Sequence, residues 1–201
     1  MRRILLWIGW LVAAPLLAAQ PLKIHIISGS DEYKSGETLT EYKKFLEDNY
    51  NVQVSASWVT DGAVQLPEVE KIKDADVLLV FARRLKLPEE QMALVRKHWE
   101  DGKGMIGIRT ASHAFSNEEN TVFDRKVLGG NYVGHFGNED VTVIHNDAAK
   151  DHPVLKDVGA FKSRRLYKAG ELAASATVLQ RGEMEMKDGK KVQHSVSWVN
   201  E

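Results

Sequence analysis

Apolar residues fall along this chain in short blocks that switch between two periods. Leu22–Ser28 (LKIHIIS) is a β-branched run ending at Gly29-Ser30, and Val52–Trp58 (VQVSASW) alternates apolar and polar positions like a strand. Between them, Leu39, Tyr42, Phe45 and Leu46 share one face of a helix that ends near Tyr50, with Thr38 or Thr40 as its cap. Asp76–Ala82 (DVLLVFA) is apolar on both faces, as a central parallel strand must be. A helix then starts at Pro88-Glu89-Glu90, buries Met92, Val95 and Trp99, turns His98 outward and stops at Gly102. Gly104–Arg109 is the next strand. Strands alternating with helices in this way predict parallel βαβ units and a doubly wound α/β sheet.

After Phe123 the pattern changes. Gly129-Gly130 and Gly134 punctuate a loop, and Val141–His145, Thr177–Arg181 and Val192–Val199 read as strands, the last two joined at Asp188-Gly189. This half is expected to be mixed or antiparallel, an elaboration of the same sheet within one domain. A chain of 201 residues is long enough for one well-buried domain and short for two.

The first residues follow another logic. Arg2 and Arg3 precede an apolar run from Ile4 to Leu17 and then small residues, the pattern of a signal peptide over residues 1–19. The run is shorter than the ~20 residues of a spanning helix, so a stable membrane span is not expected. The expectation is an exported, soluble protein over residues 20–201, periplasmic or extracellular after cleavage. An uncleaved, membrane-tethered form is the alternative. The chain has no cysteine, which excludes disulfides, thiolate metal ligands and a cysteine nucleophile. A net charge of −1 and the lack of a long basic run give a nucleic-acid partner no electrostatic support.

Ligands of open α/β sheets bind outside the carboxyl ends of the strands, where strand order reverses. That rule selects Gly29, Ser30, Asp31, Glu32 and Tyr33 after the first strand, Arg83 and Arg84 after the third, and Arg109, Thr110, Ser112 and His113 after the fourth. His135 joins them if the Gly134 turn folds back. Arg83 and Arg109 offer guanidinium forks to carboxylate, phosphate or sugar hydroxyls, or form structural ion pairs with Asp31 or Glu32. His113 and His135 suit either proton transfer or a divalent transition metal such as zinc, although their spacing forms no local ligand motif. His25 is expected to pack in the core, and His152, before Pro153, to make a structural hydrogen bond. The frame Gly107-Ile108-Arg109-Thr110-Ala111 has the form of a nucleophile elbow with arginine at its centre. Arginine stays protonated, so covalent chemistry at that position is out.

The runs GKGMIGIRTASHAF, LGGNYVGH at 128–135, DHPVL at 151–155 and SVSW at 195–198 resemble the ThuA-like (trehalose-utilisation) family, from about Leu22 onward. The resemblance implies a flavodoxin-like, class I glutamine amidotransferase-like three-layer sandwich without amidotransferase activity. His113 and His135 match the family pattern. Arg109 stands where many members carry histidine, and Arg165 stands where an acid commonly precedes the tyrosine at Tyr167. The pattern also implies a further strand beyond SVSW, whose lack would expose a sheet edge and favour pairing into a homo-oligomer. Two functions follow as expectations. One is a sugar-processing hydrolase or isomerase of carbohydrate catabolism, in which Arg83, Arg109, Ser112, Glu32 and Tyr33 bind a small carbohydrate and His113 and His135 act on it. The other is a non-catalytic sugar-binding or assembly domain on the same fold.

Overall fold

Residues 19–116 and 118–201 are described in a computed structural model, so the expected signal peptide lies, but for Ala19, outside the described residues. The first half builds a parallel sheet in the order β2-β1-β3-β4, from β1 (Leu22–Gly29), β2 (Val52–Trp58), β3 (Val77–Ala82) and β4 (Gly104–Gly107). Side-chain alternation divides β1 and β3 between two cores. Ile24, Ile26, Leu79 and Phe81 face α1 (Ser35–Asn49), where Leu39 and Leu46 meet them. Ile27, Leu78 and Val80 face α2 (Glu89–Glu100) and its Met92 and Val95, and Phe123 fills the same core with no exposed surface. Helices on both faces of a parallel sheet in this order make the flavodoxin-like three-layer sandwich.

The second half forms its own antiparallel sheet, β6-β5-β7-β8, from β5 (Asp140–His145), β6 (Phe161–Arg164), β7 (Ala176–Glu185) and β8 (Lys191–Asn200). It is a second hydrogen-bonded ladder with its own core of Val141, Val143, Leu166 and Met184, where one extended sheet was expected. The hairpin at Asp188-Gly189 forms as predicted, with Gly189 at φ 79°.

Other local expectations change. α1 begins at Ser35, behind a left-handed Lys34, and Thr40 bonds back to the Gly36 carbonyl inside the helix rather than capping it. Ser35 accepts from the Ser30 amide and the Ser28 hydroxyl, which ties the helix start to the end of β1. His98 is 2% exposed and within 3.1 Å of the Gly104 carbonyl. It lies one turn from Val95, so the buried stripe that carries Val95 carries His98 too. His25 is fully buried between the Ser55 and Ser57 hydroxyls, and burial pulls its pKa down from 6.5 to about 4. His152 accepts from the Val154 amide, the structural role expected of it. β6 carried no sequence signal. Among the described residues β4 pairs only with β3, and its Ile106 is left 45% exposed. No helix among the described residues is long and apolar enough to cross a membrane.

Candidate functional site

The parallel strands deliver three short segments to one edge. β1 leads into a 3-10 turn at Asp31–Tyr33, β3 into Arg83 and Arg84, and β4 into a 3-10 turn at Arg109–His113. The elbow anticipated from the sequence is present in the backbone. Strand pairing ends at Gly107, and Arg109 takes φ 46°, a left-handed conformation that costs a side-chain-bearing residue about 1 kcal/mol or more. Gly107 makes the turn fit, since a Cβ there would stand 2.8 Å from Leu128. Arg84 (φ 53°) and Arg165 (φ 61°) are held left-handed at the same edge, and strain of this kind gathers at functional sites.

The strained turn aims Arg109 at two tyrosines. Its Cζ lies 4.3 Å from the Tyr33 ring centroid and 5.4 Å from that of Tyr167, within cation–π range. Its Nη2 donates to the Arg164 carbonyl at 3.2 Å, while its buried Nε has no hydrogen-bond partner among the described residues. The Tyr33 and Tyr167 hydroxyls are 2.9 Å apart, and Arg165 donates to the Tyr33 oxygen at 3.0 Å while also pairing with Glu32. Burial pushes the Tyr33 phenol up, but Arg109, Tyr167 and Arg165 together outweigh it and bring it below the usual 10.0. Tyr167 moves the other way, raised by burial and then by Tyr33.

His113 stacks on Tyr132, with ring centroids 4.7 Å apart and planes 21° from parallel, and lies 6.3 Å from Tyr167. Burial first, then the charges of Arg83 and Arg84, lower its pKa to about 4, so it is neutral at neutral pH. Ser112 is within 3.1 Å of its Nδ1, and no carboxylate bonds the ring among the described residues. His135 does fold back to this edge. It pairs with Tyr167 across an isolated antiparallel bridge, framed by the bonds Phe136 N–H to Leu166 and Lys168 N–H to Gly134. This is the closely spaced kind of pair, so His135 and Tyr167 share a face. His135 itself is exposed.

The structure therefore gathers Tyr33, Arg109, Ser112 and His113, brings His135 to the rim, and sets Glu32 behind Arg165. Arg83 is engaged elsewhere. It pairs with Asp61 at 2.7 Å, and Asp61 and Asp31 exchange backbone-to-carboxylate bonds at 3.1 Å, which locks the β1 and β2 loops together. No cluster of three or more His, Asp or Glu is placed to hold a metal among the described residues.

Four residues at this edge were not singled out as site residues from the sequence: Tyr132, Tyr167, Arg165 and Asp61. Tyr132 lies in the LGGNYVGH run, and Tyr167 and Arg165 stand at positions named from the family pattern, which is where the signal was. Tyr132 is positioned by Asp124, a buried carboxylate that accepts its amide at 2.7 Å. A Cβ on Gly130 would stand 2.7 Å from that carboxylate, so the glycine clears its path.

A flavodoxin-like domain whose elbow presents arginine to a tyrosine cluster is the class that fold and site define. The trehalose-utilisation (ThuA) family model matches residues 23–201, and the chain belongs to that family. Crystal structures of two ThuA-like proteins are similar to it. One, from Bacteroides uniformis ATCC 8492, has a TM-score of 0.64 at 16% identity over 96% of this chain and 82% of that one. The other, from Parabacteroides merdae ATCC 43184, has a TM-score of 0.65 at 16% identity over 90% of this chain and 75% of that one. No curated protein matches the chain. Family membership supports a function connected with carbohydrate utilisation.

Proposed function

We propose that this edge binds a small carbohydrate, a disaccharide or an oxidised (keto) sugar, and transfers protons on it outside the cytoplasm, without amidotransferase activity. The observation that carries the reading is the meeting of Arg109, Tyr33, Tyr167, Tyr132 and His113 at the strand ends. Ring faces suit the C–H faces of a pyranose, and guanidinium and phenol groups around them suit its hydroxyls. Arginine at the elbow and the lack of any cysteine leave no thiol to accept an amide acyl group. In this reading Ser112 and Glu32 complete the polar rim, and Arg83 acts by holding the β1 and β2 loops.

Neutral His113 can accept or donate a hydrogen bond, and exposed His135 reaches the ligand from the rim. Zinc held by the two histidines is the competing role for them, and it needs further donors from substrate or water. Export rests on the leader pattern at residues 1–19.

Calorimetry with trehalose and its keto form tests the reading. Wild type binds one of them, and Arg109→Ala and Tyr132→Ala each weaken binding at least tenfold, about 1.4 kcal/mol. Binding unchanged by both substitutions would refute the site. The second reading, a binding domain without turnover, is favoured by the His113 ring, which among the described residues meets the Ser112 hydroxyl and no carboxylate. Binding without any conversion of the sugar would establish it.

A further inference from the structure

Tyr33 stands apart from the other tyrosines in how its oxygen is surrounded. Its ring packs against that of Phe81, with centroids 6.2 Å apart. Arg165 and Tyr167 both contact that oxygen, at 3.0 and 2.9 Å, and the Arg109 guanidinium covers the ring. Arginine can only donate, and a tyrosine hydroxyl can, so the oxygen can accept two hydrogen bonds from protein. The remaining titratable neighbours are Glu32, tied up by Arg165, and Tyr132, whose own phenol is raised by burial and by Tyr33. Resting on the carbohydrate reading above, we propose that Tyr33 is the proton-accepting residue of the site, working as a phenolate on a sugar that carries a carbonyl.

The geometry divides the labour. Two phenols in contact whose surroundings drive them in opposite directions separate into a base and an acid. Tyr33 accepts from Arg165 and lies nearer the Arg109 guanidinium, 4.3 Å against 5.4 Å for Tyr167. Arg109, Tyr167 and Arg165 lower the Tyr33 phenol against burial, while burial first raises that of Tyr167. In the step, the Tyr33 oxygen takes a proton from the carbon beside the carbonyl. The C–H pair becomes the new carbon–carbon double bond, and the carbonyl π pair moves to its oxygen. The product is an enolate with Tyr33 neutral, and the cationic Arg109 faces the charge so formed. Return of the proton to the same carbon restores the carbonyl sugar and the phenolate, and no oxidant, metal or second substrate is consumed. Neutral down to about pH 4, His113 is left to hold a hydroxyl.

Ultraviolet titration of tyrosinate on the whole chain reads the first half of this without sugar. The five tyrosines are Tyr33, Tyr42, Tyr50, Tyr132 and Tyr167. One fifth of the absorbance change is expected to titrate below pH 10, to vanish in Tyr33→Phe and to move upward in Arg165→Met. Five tyrosines titrating together, or an early fraction that survives Tyr33→Phe, would overturn the proposal. If Tyr33→Phe does not fold, an unmoved early fraction in Arg165→Met overturns it as well. The second half is read by deuterium uptake from D2O into keto-trehalose, expected to rise with pH in wild type and to slow at least tenfold in Tyr33→Phe. Equal uptake in both would overturn the role of Tyr33 while leaving the carbohydrate reading standing. Failure of both sugars to bind would sink the carbohydrate reading, with the titration unaffected.

Discussion

Arg109 offers a test in which stability and ligand binding part company. Replacing it with alanine removes two cation–π contacts, each worth about 0.5–1 kcal/mol where partly exposed, and one hydrogen bond worth about 1 kcal/mol. The left-handed backbone at φ 46° stays, because alanine also carries a Cβ. Arg109→Gly loses the same contacts but relieves the strain, since glycine occupies that region without penalty. Glycine at this position is therefore expected to be about 1 kcal/mol more stable than alanine, the reverse of the ordinary order in a helix or strand. In a domain of this size that is a difference of about 2–4 °C in Tm. Urea unfolding of the two variants, compared at equal m-values, measures it. Both variants bind sugar equally poorly, because both lack the guanidinium. Alanine as stable as glycine, or more so, would show that Arg109 does not sit in a strained elbow.

Stability should fall with acid in a defined window. His25 drops from 6.5 to about 4 on folding, so the unfolded chain binds more protons between those values and stability is lost as pH falls through them. Fully buried His25 accounts for about 3 kcal/mol of that loss, and half-buried His113 adds a smaller amount of the same sign. Urea midpoints that stay level from pH 7 to 4 would contradict the packing described for both rings. Phe123→Ala in the α2-side core should cost about 3–5 kcal/mol, read as a Tm drop of roughly 10 °C. Asp124→Ala is expected to weaken sugar binding by releasing Tyr132 from beneath His113, whereas Asp124→Asn, which keeps an acceptor, retains most of it; equal losses would refute the positioning role. Plasma mass spectrometry on untagged protein purified without chelators decides the metal question. One equivalent of zinc, lost in His135→Ala, would turn the histidines from hydrogen bonding to ligation.

The parallel half was legible because its signals are local. The apolar runs of β1 and β3 and the stripe of α2 each declare one element, and the strand-end rule then named Tyr33, Arg109, Ser112 and His113. The antiparallel half was legible only where a turn residue marked it, as at Gly189. β6 has the sequence FKSR, whose strand character comes from pairing with β5 and not from its own pattern. Long-range partners were out of reach for the same reason. The Tyr33–Tyr167 contact spans 134 residues and the Arg165–Glu32 pair 133, and no local spacing encodes either. Both arginines that depart from the family pattern, Arg109 and Arg165, converge on Tyr33, which only the folded chain displays. The polarity of His98 points it outward in the sequence, while its place one turn from Val95 puts it on the buried stripe.

A crystal structure of the protein soaked with trehalose or its keto form would locate the ligand. Sugar is expected at the strand ends, in contact with Arg109 and with its ring face on the Tyr132–His113 stack. Sugar bound instead in the cleft lined by Leu85, Met92, Phe115 and Ser116, with Arg109 untouched, would contradict it.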